Sequence, residues 1–311
     1  MFCKIDNFEI LKNLNIKQGK IDMILDTDTY NEVDDQFALV YALKSNERLN
    51  VKAVYAAPFF NHRSTSAKDG MEKSYNEIIR LLDKMDIATD NFVFKGSDRY
   101  IENIKSPVES PAVYDLINKA MERNDDNPLY VAAIGAITNI ASAILINPEI
   151  IKKIVVVWLG GQPHYWNTAH EFNLQQDIIA SRVIFDSGVP LIQIPCASVA
   201  SHLLATVPEL EYNLKGKNRI CDALFELFKQ FGNECFKWYE EIKFTWAKEI
   251  WDIAAVGYLI NPDWLPSSIV HSPILTDNCT YSFDNSRHFI KVVNWVNRNE
   301  IFRDMFEKIT K

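Results

Sequence analysis

Short apolar runs alternate along this chain with segments whose apolar residues follow a helical spacing. The apolar runs predict strands at 21–25, 51–57, 92–94, 129–134, 154–159 and 189–194. The helical spacing predicts helices at 34–44, 72–84, 112–123, 140–145, 175–187 and 253–260. Strands without polar alternation, separated by helices, are typical of parallel sheets covered on both faces. We therefore predict an α/β, Rossmann-like fold whose central sheet is mostly parallel, with helices on both faces.

The ends of the chain and one internal segment depart from this alternation. Residues 7–20 predict a short helix or arm, and the last part predicts short strands around Ile274 and Phe289 before an amphipathic helix. Residues 199–247 are helical in pattern and rich in aromatic side chains: Phe225, Phe228, Phe231, Phe236, Trp238, Tyr239, Phe244 and Trp246. This segment either packs a core of its own or covers a ligand. We predict one domain, residues 1–311, with an α/β core at 21–198 and 248–311 and a helical cover region at 199–247.

Composition and charge narrow the function classes. The formal charge is −8 and no run of basic residues occurs, which argues against a nucleic-acid partner. The five cysteines are scattered without a C-x-x-C pair, as expected for reduced thiols rather than a disulfide framework or a structural zinc site. The apolar run at 154–159 is much too short to cross a membrane, and the first residues predict no signal peptide. We expect a cytoplasmic protein that has no membrane partner.

Five carboxylates follow the first predicted strand within ten residues: Asp26, Asp28, Glu32, Asp34 and Asp35. Neighbouring like charges raise one another's pKa or recruit a cation. Hard oxygen ligands suit Ca²⁺ or Mg²⁺ better than zinc. A solvated acidic turn is the alternative, but the apolar residues on both sides argue against it. The pattern favours a metal site at the carboxyl end of the first strand, where ligands bind in folds of this class.

Several segments together resemble the nucleoside hydrolases, calcium-dependent enzymes that cleave the N-glycosidic bond of ribonucleosides. The resemblance covers residues 21–198 and 248–262. It is carried by Asp26-Thr27-Asp28 with Asp34-Asp35, Asn61, residues 135–141, Gly160-Gly161, Glu171-Phe172-Asn173 with Asp177, and Asp252. Their order along the chain makes the resemblance more specific than any single motif.

The resemblance implies a ligand set and a reaction. It implies Ca²⁺ coordination by Asp28, Asp35, Asp252 and the carbonyl of Ile134. It implies that the sugar hydroxyls bind to Asp34, Asn61, Asn167, Glu171 and Asn173. The expected reaction is hydrolysis of a ribonucleoside, or a related N-ribosyl compound, to ribose and free base by a metal-bound water activated by Asp28, without a covalent intermediate. Family members are commonly homodimers or homotetramers, and act in purine and pyrimidine salvage.

Three departures from the family pattern bear on the substrate. The turn at 29–33 has five residues where the shorter family form has three, so Glu32 either enters the site or caps the turn. Trp251 occupies the position where the well-studied inosine-uridine members carry a histidine, a candidate leaving-group acid; a tryptophan can stack on a base but cannot donate a proton usefully. The segment between Gly161 and Glu171 is two residues shorter, which weakens the assignment of Asn167.

Other groups could then assist the leaving base. The candidate acids are His164, His62, His170 and Tyr165, and the candidate stacking residues are Tyr165, Trp166, Phe59 and Phe60. Purine and pyrimidine remain equally open as the base.

Two other functions fit parts of the sequence. One is a haloacid-dehalogenase-type phosphatase with Asp26 as nucleophile, but this gives no role to Asp34-Asp35 or to Glu171-Phe172-Asn173. The other is a homologue that binds ribose or a nucleoside without turnover. For Asp34 and Asp252 taken alone, capping of a helix N-terminus is a simpler role.

Overall fold

A computed structural model describes residues 2, 5–124, 127–235 and 246–311. The helices are α1 (Asn7–Asn13), α2 (Asp34–Lys44), α3 (Ala67–Lys84), α4 (Pro111–Met121), α5 (Thr138–Ile146), α6 (Phe172–Gln176), α7 (Ile178–Ser187), α8 (Val207–Leu214), α9 (Arg219–Cys235), α10 (Ile253–Ile260) and α11 (Arg298–Ile309). The strands are β1 (Ile21–Thr27), β2 (Leu49–Ala56), β3 (Val93–Lys95), β4 (Leu129–Ala133), β5 (Ile154–Leu159), β6 (Leu191–Ile194), β7 (Leu204–Thr206), β8 (Ala247–Glu249), β9 (Ser267–His271), β10 (Ile274–Leu275), β11 (Tyr281–Ser282) and β12 (Phe289–Val293). Short 3-10 helices lie at Pro148–Lys152, Ala200–His202 and Pro262–Trp264.

Eight strands form the central sheet in the order β3-β2-β1-β4-β5-β6-β12-β9. Every neighbouring pair is parallel except β12 with β9, which are antiparallel. The order of the first six strands is that of doubly wound nucleotide-binding folds, with the switch point between β1 and β4. The predicted α/β fold with a mostly parallel sheet is confirmed.

Helices cover both faces of the sheet, as predicted. Along β1, Met23 and Leu25 point into one apolar core, and Ile24 points into the other. The first core is completed by side chains of α2, α3, α10 and α11, and the second by α4, α5 and α7. Because the middle of β1 is buried on both faces, its residues 23–25 are all apolar.

Some elements differ from the prediction. The predicted helix at 175–187 is two helices, α6 and α7, that meet at Asp177. The carboxylate of Asp177 accepts hydrogen bonds from the backbone N–H groups of Ala180 and Ile101 and from the Thr138 hydroxyl, which fixes the break. Strand β9 was not predicted, because Ile269 and its neighbours on this edge strand are exposed or half-buried.

The predicted helical cover region, 199–247, is helical in α8 and α9, but it also contains β7, whose antiparallel partner β8 begins at the last residue of the region. These strands have three residues each, too few for a period to be recognised. Phe236, Trp238, Tyr239 and Phe244 lie outside the described residues. Within the described residues, no helix is both long and apolar enough to cross a bilayer.

Candidate functional site

A cavity of about 170 Å³ opens where four parallel strands end. Asp28, Ile134 and Leu159 follow or end β1, β4 and β5, and Cys196 follows β6. Eight residues predicted for the site line this cavity: Asp28, Asp34, Asp35, Ile134, Glu171, Asn173, Trp251 and Asp252. The fold therefore brings together residues from six separate segments of the chain.

Asp28 lies at the first turn position after β1 and is 1% exposed. Its carbonyl accepts a hydrogen bond from the Asn31 N–H at 2.7 Å, which folds the turn back over the strand end. Gly135 packs against it so closely that a Cβ there would lie 3.1 Å from the Asp28 Cγ. The carboxylate oxygen Oδ2 of Asp28 is buried without a hydrogen-bond partner among the described residues.

Asp34 and Asp35 are the first two residues of α2. Within the described structure, α2 has no side-chain cap, and its N-cap position is occupied by Val33. Thr27 donates its hydroxyl hydrogen bond to Asp35 and holds that carboxylate at the strand end. The exposed N–H groups of a helix start stabilise negative charge nearby. Both aspartates therefore lie where the helix N-terminus offsets part of the cost of their negative charge, and neither acts as a cap.

Asp252 occupies the N-cap position of α10, but its side chain likewise makes no capping hydrogen bond within the described residues. Helices α2 and α10 pack together, so their N-termini meet. One carboxylate oxygen from each of Asp34, Asp35 and Asp252 lies within 4.8 Å of the others. The simpler capping role for Asp34 and Asp252 is thus not supported by the geometry.

Burial and mutual repulsion perturb all four aspartates. Burial first, then the neighbouring aspartates Asp35 and Asp34, raise the pKa of Asp28 well above its ordinary range. The pKa values of Asp35 and Asp252 are raised for the same two reasons, with burial the larger. Burial also raises the pKa of Asp34 to about 6, although the Lys248 ammonium opposes the rise. Four buried carboxyls of this kind require protons or a cation.

This donor set fits a hard divalent cation. The ligand atoms are carboxylate oxygens, at most 4% of each aspartate is exposed, and Asp28 Oδ2 has no partner among the described groups. Ile134, the residue directly after β4, lines the same cavity. Such oxygen-only sets bind Ca²⁺ or Mg²⁺.

Glu171 and Asn173 form the facing wall. The Glu171 carboxylate accepts hydrogen bonds from the backbone N–H groups of Gly161, Asn173 and Leu174, at 2.8, 3.0 and 3.0 Å. Burial raises the pKa of Glu171 to about 6, although these three donors oppose the rise. Asn173 donates from Nδ2 to the Leu159 carbonyl. Two polar side chains are therefore held rigidly opposite the aspartate cluster.

A lysine that the sequence analysis did not assign to the site lies behind Trp251. The Lys248 ammonium is 2.7 Å from Glu32 Oε2 and 3.5 Å from the centroid of the Trp251 ring. Glu32 and Trp251 both line the cavity. Glu32 therefore enters the site, and its ion pair ties the long turn at 29–33 to β8.

Two predicted sugar ligands lie outside the cavity lining. Asn61 donates from Nδ2 to Asn31 Oδ1 at 2.6 Å, so it contacts a lining residue rather than the cavity itself. Asn167 is exposed on the loop after β5. The structure does not bring Asn167 to the cluster, in keeping with the shortened segment around it.

The candidate acids and stacking residues also lie elsewhere. His164 is bound to Gln193 at 2.9 Å and packs on Tyr281, and burial lowers its pKa. His170 is exposed and bound to Gln175. The remaining candidates, none of which lines the cavity, are His62, Tyr165, Trp166, Phe59 and Phe60.

Comparison with known proteins identifies the family. Residues 23–302 match the sequence profile of the inosine-uridine preferring nucleoside hydrolases. The chain belongs to this family. The match spans most of the chain, including every residue of the cavity.

Individual relatives have low sequence identity to this chain. A pyrimidine-specific ribonucleoside hydrolase, RihA, from Escherichia coli O1:K1 is 28% identical, and the alignment covers 55% of this chain and 58% of that protein. The chain thus matches little more than half of that relative's length. A purine-preferring ribonucleoside hydrolase from Gardnerella vaginalis has a similar fold, with a TM-score of 0.70, 20% identity, and coverage of 93% of this chain and 98% of the other. A plant nucleoside hydrolase also has a TM-score of 0.70, with 19% identity and coverage of 93% and 99%.

Family membership argues against the phosphatase alternative, and so does the geometry of Asp26. This aspartate is fully buried, lies outside the cavity lining, and accepts a hydrogen bond from Asn139 Nδ2 at 2.7 Å. Burial raises its pKa to about 7. Asp26 is thus held among buried groups, whereas a nucleophile must reach its substrate.

Six cavity residues were not assigned to the site from sequence: Asn31, Glu32, Leu159, Gln162, Phe172 and Cys196. Glu32 was left open between site and cap. Leu159 and Cys196 could have been found, because one ends β5 and the other follows β6 by two residues. Gln162 could not, since it depends on the loop that its side chain bridges, from the His170 carbonyl to the Ala197 N–H.

Proposed function

We propose that this protein hydrolyses the N-glycosidic bond of a ribonucleoside, or of a related N-ribosyl compound, with Ca²⁺ as its cofactor. The observation that carries the proposal is one cavity in which four buried aspartates face Glu171 and Asn173. A ribose offers vicinal hydroxyls that match both walls. The related proteins act, by their names, on pyrimidine ribonucleosides in one case and prefer purine ones in another, so they leave the base open.

Asp28, Asp35, Asp252 and the carbonyl of Ile134 would hold the calcium ion. When bound, the ion would neutralise the aspartates, acidify a water and offer free coordination positions to two sugar hydroxyls. Magnesium is the less suitable ion, since it demands a stricter octahedral geometry. The chain's own groups then account for the remaining tasks.

Asp28 is the group assigned to remove the proton from the attacking water. Its Oδ2 atom is buried at the end of β1 without a hydrogen-bond partner among the described residues, so it can accept that proton. Asp34, Glu171 and Asn173 bind the sugar hydroxyls and orient C1′. As the glycosidic bond breaks, positive charge develops on the sugar, and the surrounding carboxylates stabilise it.

We assign to Trp251 the task of binding the leaving base. Its ring lines the cavity beside the aspartates, and an indole provides a flat apolar surface on which either a purine or a pyrimidine can stack. Stacking places the base without requiring a histidine at this position.

A panel of ribonucleosides, assayed for ribose release by reducing-sugar detection and for free base by chromatography, tests the proposal. We expect both products in equal amounts, and loss of both when a chelator removes divalent cations. Calorimetric binding without either product would instead support the non-catalytic homologue. Phosphate release from phosphomonoesters with Mg²⁺ would favour the phosphatase.

The biological setting is also part of the proposal. We place the protein in purine or pyrimidine salvage as a homodimer or homotetramer, in line with its resemblance to the nucleoside hydrolases, and in the cytoplasm, in line with its scattered cysteines. Light scattering after size exclusion would give the oligomeric state directly.

A further inference from the structure

Lys248 is the buried cation beside the carboxylate-lined cavity. Only 6% of this residue is exposed, although a lysine ammonium is strongly hydrated. Its Nζ atom has three partners within 3.5 Å: the carboxylate of Glu32, the ring of Trp251 and the carbonyl of Glu249. Removal of one partner from a buried ion pair leaves the other charge uncompensated. Lys248 therefore restrains both the turn that carries Glu32 and the indole of Trp251.

Trp251, Lys248 and Glu32 form one contact cluster, which we call the Trp-Lys-Glu cluster. The ammonium contacts both the aromatic ring and the carboxylate, and Trp251 and Glu32 both line the cavity. A ribose has no flat apolar face, so the indole marks the end of the cavity that suits the base. Because Glu32 is joined to Trp251 through Lys248, Glu32 belongs to that same end.

Glu32 retains hydrogen-bonding capacity in this arrangement. The ion pair engages Oε2, and the second carboxylate oxygen has further acceptor sites. A carboxylate in such a pair accepts hydrogen bonds through its oxygens. It therefore favours a ligand that presents an N–H group to it.

We propose that Glu32 is a specificity-determining residue that accepts a hydrogen bond from a ring N–H of the base, and that Lys248 is the positioning residue that holds Glu32 and Trp251 in register. The inference rests on the proposed function and names the residue that recognises the base. Hypoxanthine, guanine and uracil each present such a ring N–H, next to a carbonyl group, whereas adenine and cytosine do not. The turn at 29–33 supplies Glu32 to the cavity.

Matched pairs of nucleosides test Glu32. Inosine is compared with 1-methylinosine, and uridine with 3-methyluridine, since N-methylation removes only the ring N–H donor while adding bulk. We expect the wild-type protein to prefer the unmethylated partner by at least about tenfold, the typical effect of a hydrogen bond to a charged group. Glu32→Gln should reduce this preference by about tenfold, chiefly through KM.

The matched control is Glu234→Gln. Glu234 is a half-exposed carboxylate that faces Arg63 at 3.9 Å and is not part of the cavity lining. The same chemical change there should leave the preference intact. Any steric penalty of the methyl group persists in all variants, so the change in preference isolates the hydrogen bond.

A second set of variants tests Lys248. Lys248→Met should lose the preference as Glu32→Gln does, and Lys248→Arg should restore most of it, because a guanidinium keeps the charge and the contact with the ring. The chain has seven tryptophans, so the spectroscopic signature is read as a difference. Lys248→Met should shift tryptophan emission, and the shift should vanish in a Trp251→Phe background.

The same pairs are measured by calorimetry with Asp28→Ala protein, which separates binding from turnover. An unchanged preference in Glu32→Gln, with hydrolysis intact, would overturn the inference alone. Binding with the expected preference but without hydrolysis by the wild-type protein would overturn the proposed function and retain the inference. No binding of any nucleoside would overturn both.

Discussion

Removal of divalent cations should destabilise this protein in a pH-dependent manner. The cavity buries Asp28, Asp34, Asp35 and Asp252, each at most 4% exposed. A ligand that binds only the folded state at one hundred times its Kd stabilises it by about 2.7 kcal/mol. For a chain of this size that corresponds to a rise in Tm of roughly 5 °C. We expect a rise of this order when calcium is added to chelator-treated protein at pH 8.

The pH dependence follows from the pKa of Asp34, which burial raises from 3.8 to about 6. Between these values the folded, metal-free protein holds more protons than the unfolded chain, so its contribution to stability falls as pH rises through this window. A cation replaces those protons. The calcium-induced rise in Tm should therefore be larger at pH 8 than at pH 5.

Differential scanning calorimetry with calcium, magnesium or chelator measures the effect. Asp35→Asn removes one of the four charges and should reduce the calcium-induced rise by more than half. Asp98→Asn is the matched control, since Asp98 is exposed and pairs only with the neighbouring Arg99 in the described structure. An equal rise in wild type and Asp35→Asn, or no rise with any divalent ion, would refute the metal site.

Three further predictions concern single residues. Because the pKa of Glu171 is raised to about 6, kcat/KM should fall as pH drops through 6, and this acidic limb should be shallower in the pH profile of Glu171→Gln, where Asp34 still titrates. Gly135→Ala would bring a Cβ to 3.1 Å from the Asp28 Cγ and displace that carboxylate. We expect kcat to fall at least about tenfold while the Tm changes little, because a small displacement of a reacting group lowers the rate more than it lowers the stability of the fold. Asn139→Ala leaves the buried Asp26 carboxylate without its donor and should lower the free energy of unfolding in urea by roughly 2–3 kcal/mol; a loss below the error of that measurement would contradict the assigned contact.

The sequence predicted most accurately the bounds of elements that lie deep in the core. The bounds of α2, β5 and α10 agree with the prediction, because each lies deep in the core and its apolar run ends where burial ends. The acidic cluster after β1 was correctly predicted to lie at the carboxyl end of the sheet. The resemblance to the nucleoside hydrolases then connected it with Glu171 and Asp252, which no local pattern could do.

The remaining parts depend on contacts between distant short elements. Lys248 reaches Glu32 because β8 pairs with β7 through Ala205 and Lys248, and strands of three residues leave no readable pattern. The position of Asn167 depends on a loop whose length differs from the family form, so a resemblance of residue types did not place it. In both cases the three-dimensional path of the backbone decided the outcome.

The role of Asp28 is the central claim, and one rate tests it most directly. Ribose release from the best nucleoside of the panel is measured for wild-type and Asp28→Ala protein at saturating calcium, with folding verified by circular dichroism. Loss of a general base typically costs about 10²–10⁴ in rate, and Asp28 is also a proposed calcium ligand, so we expect a reduction of at least about 10³. Ribose release by Asp28→Ala at the wild-type rate would contradict the account.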